Sequence, residues 1–160
     1  MKLKKMLTVL AVMVGMAFAL SAEVVLFEPG VTPVKDGEVV TIKGEKYLKI
    51  KVNGYNTSFT IPEVDCSKCT TFEVKVFADA EKDWQTTIAV KDGNFWDISN
   101  PQVSKITTAP QLASAGFAKK ESWNNVSKNK IAKSIQPMLQ EKKGWSAQNL
   151  VIYIGKITAK

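Results

Sequence analysis

The chain has no histidine and no arginine; all 22 of its basic residues are lysine. Without histidine there is no Ser-His-Asp or Cys-His nucleophile and no imidazole ligand for zinc or iron, which removes most hydrolase and metalloenzyme chemistry. Without arginine there is no planar fork to read guanine or clamp a phosphate. The lysines are dispersed along the chain, so no nucleic-acid partner is expected. Cysteine is scarce as well, with two in 160 residues. No apolar run reaches the roughly 20 residues that a helix needs to span a bilayer.

The longest apolar run, Met6 to Leu20, is preceded by Lys2, Lys4 and Lys5 and followed by Ser21-Ala22. A basic end, a short apolar middle and small residues at a cleavage point make a secretory signal peptide. It is predicted over residues 1–22, with a product that is secreted or held in the periplasm or at the cell surface, without a membrane span. Setting the three leader lysines aside lowers the formal net charge from +7 to +4. Residues 23–160 suffice for one domain around one core.

Within that domain the dominant period is two, the mark of half-buried strands. Leu48, Ile50 and Val52 alternate with Lys49 and Lys51; Phe72, Val74 and Val76 alternate with Glu73 and Lys75. Trp84, Thr86, Ile88 and Val90 share one phase, and Leu150, Ile152 and Ile154 repeat the pattern near the end. Between the runs stand Asp36-Gly37, Lys43-Gly44, Asn53-Gly54 and Asp92-Gly93, which supply the positive φ angles of tight hairpins. The expected fold is all-β, an antiparallel β-sandwich or barrel. Helix signals are weak. Ser99 to Asn129 reads as a long, partly irregular connection. Ile131 to Gln136 reads as a helical turn or a strand before Pro137, and Met138 to Lys143 as a single turn.

Cys66-Ser67-Lys68-Cys69 has C-x-x-C spacing, but a redox dithiol wants a helix N-terminus beside it and Thr70 to Val76 reads as a strand. In an oxidising compartment the expected state is a small Cys66–Cys69 disulfide stapling the turn, with two free thiols as the alternative. Two cysteines alone make no zinc site, and no metal residues are assigned. Glu63 with Asp65, or Asp79 with Asp83, are the candidates for a glycosidase carboxylate pair. They lie in turn-like polar segments where acids are usually solvated, so no enzyme activity is expected.

Three stretches carry a resemblance: Val24-Val25-Leu26-Phe27-Glu28-Pro29-Gly30, Pro62 to Val76, and Leu150-Val151-Ile152-Tyr153-Ile154-Gly155-Lys156-Ile157. With them the chain resembles the galactose-binding-like β-jelly-roll carbohydrate-binding modules over nearly all of residues 23–160. The resemblance implies a jelly roll, a carbohydrate partner and binding without bond cleavage. It also implies a structural calcium between an acid of the opening strand and an Asp of the closing one. Glu28 matches the first, but Gly155 stands in place of the second. Calcium takes six or more oxygens, so no cofactor is expected, calcium being the one group left open.

Sugar recognition needs flat aromatic faces and amides that take hydroxyls. Alternation sends Trp84 to the core side with Ile88 and Val90, and Trp96 with Ile98. It puts Phe77 and Tyr153 on the opposite phase from their strands' core residues. Tyr55 follows the Asn53-Gly54 turn, and Trp123 and Trp145 sit in polar surroundings. The candidate ligand-binding residues are therefore Tyr55, Phe77, Trp123, Trp145 and Tyr153, with Gln85 and Asn125. The expected function is that of a secreted, non-catalytic module that binds polysaccharide or glycan through exposed aromatics on a sheet face or adjacent loops. The alternative is a structural envelope or surface protein whose sandwich holds a protein partner.

Overall fold

The structure, a computed structural model, describes residues 22–93, 95–142 and 149–160. The expected leader up to Ser21, together with Asn94 and Trp145, lies outside the described residues. Among the described residues twelve strands occur in chain order: β1 (Val24–Phe27), β2 (Glu38–Ile42), β3 (Glu45–Asn53), β4 (Phe59–Asp65), β5 (Phe72–Ala78), β6 (Trp84–Asp92), β7 (Trp96–Ser99), β8 (Gln102–Val103), β9 (Gln111–Ala115), β10 (Asn125–Val126), β11 (Ile131–Glu141) and β12 (Asn149–Ala159). There is no helix among the described residues, as the period-two pattern predicts.

The strands form one curled sheet whose two halves face each other across the core. One half runs β9-β5-β12-β3-β2, with β1 alongside the end of β12. The other is β4-β11-β6, with β7 and β8 sharing the far edge of β6 and β10 outside β7. A single pair, Gln102 opposite Ser114, joins β8 to β9 and makes the two halves continuous. Among the described strands every pairing is antiparallel except that of β10 with β7.

Alternation explains the core. Leu48, Ile50, Val52, Phe72, Val74, Val76, Ile152, Ile154 and Ile157 point inward from one half, and Ile88, Val90, Ile98, Ile135 and Leu139 from the other, in one buried cluster. The β2–β3 hairpin shows how tightly register is set. Lys43 and Gly44 carry φ of 51° and 83°, the two positive values of a type I′ turn, and Ile42 sits opposite Glu45.

The region after Pro137 departs from expectation. Residues Ile131–Glu141 form one long strand, β11, with Pro137 in its interior. The strand tolerates proline because β4 stops pairing at Phe59 opposite Ile135, leaving that edge of β11 without a strand at residue 137. On its other edge β11 pairs with β6 from Ser134 through Glu141. The long connection from Ser99 likewise contains three short strands, β8, β9 and β10.

The Cys66–Cys69 staple is also corrected: both cysteines are free, buried thiols. The turn between β4 and β5 is closed without it. The Cys69 N–H donates to the Cys66 carbonyl at 3.0 Å, the Cys66 N–H to the Lys130 carbonyl at 2.8 Å, and the Ser67 N–H to Asp65 Oδ1 at 2.8 Å. Both sulfurs pack with the core cluster as small apolar groups.

Candidate functional site

On β6 and β11 the residues out of phase with the core form a polar strip. Gln85, Thr87, Ala89 and Lys91 alternate with Trp84, Thr86, Ile88 and Val90, while Gln136, Met138 and Gln140 alternate with Ile135 and Leu139. Register puts Gln136 opposite Ala89, Met138 opposite Thr87 and Gln140 opposite Gln85. Gln102 on β8 extends the strip, its Oε1 accepting from Gln85 Nε2 at 2.9 Å.

Trp123 stands over this strip with 58% of its surface exposed. The loop holds it there because the next residue, Asn124, is buried beneath. Asn124 Oδ1 accepts from the Glu121 N–H at 2.9 Å, Asn124 Nδ2 donates to the Lys119 carbonyl at 3.2 Å, and Lys120 Nζ donates to the Asn124 carbonyl at 2.7 Å. Below the loop, β10 fixes Asn125 and Val126 beside Trp96 and Asp97.

Three adjoining hollows meet at Trp123. One, of about 310 Å³, lies between Trp123, Tyr55, Phe95, Asn125, Gln136 and Met138. A second, of about 270 Å³, is bounded by Trp123, Gln85, Thr87, Gln102, Met138 and Gln140. A third, of about 320 Å³, extends from Trp123 and Gln102 toward Phe117 and Lys119. Tyr55 is 45% exposed and Phe95 73% exposed at the rim. Asn100 Oδ1, a buried acceptor between the second and third hollows, has no hydrogen-bond partner among the described residues.

Of the residues proposed from sequence, Tyr55, Trp123, Gln85 and Asn125 come together in this cleft. Phe77 and Tyr153 do not. They lie on β5 and β12 of the other half of the sheet, where Phe77 is only 5% exposed because Tyr47 packs edge-on against one side and Tyr153 stacks on it. Trp84 is half-buried against the core as alternation predicts, whereas Trp96, at the start of a short strand beside two-residue β10, is 47% exposed. Missed from sequence were Phe95, Gln102, Met138, Gln140 and the Lys91–Asp97 pair. The signal was present for part of this set: Gln136, Met138 and Gln140 fall on every second residue of β11, out of phase with Ile135 and Leu139.

The carboxylates considered for catalysis lie elsewhere. Glu63 is 3.7 Å from Lys133, Asp83 is 2.7 Å from Lys142, and the Ser67 backbone N–H holds the Asp65 carboxyl below its usual range. In the cleft, Asp97 Oδ1 is 3.3 Å from Lys91 Nζ and Asp97 Oδ2 accepts from Asn100. Glu28 and Gly155 do share a groove, of about 550 Å³, on the other half of the sheet. There Gly155 passes under the Tyr47 ring, and a Cβ on it would meet Tyr47 Cε1 and Lys75 at 3.3 Å.

No family model matches the sequence, and no curated protein is detectably similar to it. Solved structures do match. A family 30 carbohydrate-binding module of a Clostridium thermocellum cellulosomal cellulase superposes with a TM-score of 0.54 at 12% identity, over 87% of this chain and 97% of that one. A family 11 carbohydrate-binding module from Clostridium thermocellum, solved in complex with a β-1,3-1,4-mixed-linked tetrasaccharide, superposes with a TM-score of 0.51 at 11% identity, over 86% of each chain. The fold is therefore that of the β-jelly-roll carbohydrate-binding modules, as the resemblance implied.

Proposed function

We propose that the protein is an exported, non-catalytic module that binds carbohydrate in the cleft centred on Trp123. The observation that carries this reading is one exposed indole at the meeting point of three hollows floored by amide side chains. An aromatic face packs on the C–H side of a sugar ring while amides exchange hydrogen bonds with its hydroxyls. Gln85, Gln102, Gln140 and Asn125 each offer both a donor and an acceptor, as a hydroxyl requires. The jelly-roll fold shared with carbohydrate-binding modules agrees with this reading.

Binding alone accounts for the cleft. Asp97 is committed to Lys91 and Asn100, so it is not a free acid or base. Carbohydrate is the proposed partner, in place of nucleic acid, and no cofactor is assigned. Among the described residues no helix is long and apolar enough to cross a membrane. Placement outside the cytoplasm rests on residues 1–22 and is tested by N-terminal sequencing of the exported product, expected to begin at Glu23.

The deciding experiment is affinity electrophoresis of purified protein in gels containing mixed-linkage β-1,3-1,4-glucan, xylan or mannan. Retardation in at least one gel, lost in Trp123→Ala, is expected. Migration unchanged in every glycan overturns the proposal and favours the envelope reading with a protein partner.

A further inference from the structure

The side chain of Gln136 does the work of a backbone donor that the chain lacks. Past the end of β4, the loop after Gly54 covers the edge of β11. In an antiparallel strand every second N–H points to the same edge. Leu139 uses its N–H on that edge, donating to the Gly54 carbonyl at 2.7 Å. The preceding N–H on the same edge belongs to position 137, which is proline and has none. Gln136 Nε2 instead donates to the adjacent carbonyl, that of Tyr55, at 2.6 Å. Two successive carbonyls of the loop are thereby tied to β11.

Gln136 is in turn oriented from below. Its Oε1 accepts from Lys91 Nζ at 2.9 Å, which fixes which end of the amide faces Tyr55. Lys91 is held by Asp97, its cross-strand partner, at 3.3 Å, with side chains only 13% and 5% exposed. Asp97 accepts from Asn100 Nδ2 at 3.3 Å. Four side chains from β6, β7, β11 and the segment after β7 thus form an unbroken polar line that ends on the backbone of Tyr55, at the cleft rim.

We infer that Gln136, oriented by Lys91 and Asp97, is a positioning residue that sets the Tyr55 ring at the rim of the cleft before ligand arrives. This rests on the cleft being the carbohydrate site. A pre-ordered aromatic binds more tightly because its ordering is not charged against association. The role is confined to Tyr55: Gln136 acts through the loop.

The test is a double-mutant cycle between Gln136→Met and Tyr55→Ala, read by affinity for whichever of the three glycans retards the wild-type protein. Gln136→Met keeps the length of the side chain and loses both hydrogen bonds. It is expected to weaken binding about fivefold in the wild-type background and to have no effect in Tyr55→Ala. Gln136→Glu, which still accepts from Lys91 but cannot donate to the Tyr55 carbonyl, is expected to match Gln136→Met. An equal loss in both backgrounds, as a direct sugar contact or general destabilisation gives, overturns the inference. A second readout needs no ligand: the Asn56 amide, which donates to the Asn53 carbonyl at 2.9 Å within the same loop, should exchange its hydrogen faster in Gln136→Met. Unchanged exchange overturns the inference even if the wild type binds glycan. Absence of binding by the wild type counts against the proposed function, while the exchange result still judges the tether.

Discussion

The rings of Phe77 and Tyr153 stack with centroids 4.5 Å apart and planes within 5° of parallel. They are direct cross-strand partners on β5 and β12, so the stack is built by register. It lies on the half of the sheet that does not carry the Trp123 cleft. Replacing Tyr153 by alanine should therefore lower stability by about 2–3 kcal/mol, the cost of deleting a half-buried ring and its stacking partner's cover. Glycan affinity should stay within twofold. Chemical denaturation and affinity electrophoresis on the same sample check both halves, and a selective loss of binding would count against this division of labour.

Trp123→Ala should do the reverse. The ring is exposed, so its removal should change unfolding free energy by no more than about 0.5 kcal/mol. As the central aromatic of the cleft it should cost at least about 2 kcal/mol of binding, close to 30-fold in affinity. Isothermal titration with a retarding glycan reads the second number. Equal effects on stability and binding would make Trp123 a structural residue.

Lys91 and Asp97 form the most buried ion pair among the described residues. Exposed pairs such as Lys49–Glu38 contribute little, about 0–1 kcal/mol each. Removing one member of a buried pair leaves an uncompensated charge and costs about 3–5 kcal/mol. Lys91→Met should therefore lower the denaturation midpoint far more than Lys49→Met, and Lys91→Arg should recover most of the loss.

Burial pushes the Cys66 thiol up to about 12 from an ordinary value of 9.0, with the neighbouring Cys69 adding to it. At pH 8 roughly one molecule in ten thousand then carries a Cys66 thiolate, the reactive form. The native protein should leave Cys66 unmodified by a thiol-reactive probe at that pH, and urea should expose it. Rapid native labelling of Cys66, or no free thiol in urea, would contradict the free, packed cysteine seen here.

The same burial sets an alkaline limit. Tyr47 is pushed up to about 12 from 10.0 by burial and by its hydroxyl donating to Glu45 Oε2 at 2.5 Å. Both raised groups keep their protons more firmly when folded. Their stabilising contribution is whole below the unfolded values of about 9 and 10, and is lost as pH rises toward 12. Thermal midpoints should be flat to pH 9 and fall above it, with a shallower fall in Tyr47→Phe.

Much of the sandwich was legible because each half buries one face, which forces alternation on β3, β5, β6 and β12. Less of β11 was. Its apolar residues Ile135 and Leu139 are also spaced as on a helix, and Pro137 reads as a break; its ladder to β6 is a long-range fact that a single chain does not spell out. The phase of Phe77 and Tyr153 was read correctly, but their meeting depends on a partner strand about 75 residues away. The exposure of Trp123 was legible from its polar neighbours. The amide strip was visible only in part, since Gln85 and Gln140 are separated in sequence and joined by register.

β12 has β3 and β1 on one side and β5 on the other. Its last residues, Ile157, Thr158 and Ala159, are buried, and the Lys160 carbonyl accepts from the N–H groups of Thr70 and Thr71. Val24, in β1, pairs with Ala159, in β12. The half-sheet that backs the cleft thus cannot close until β12 has been made and has docked between β3 and β5. Pairing between strands so distant in sequence slows folding, because the entropy of closing the intervening loop is lost before the contacts reward it.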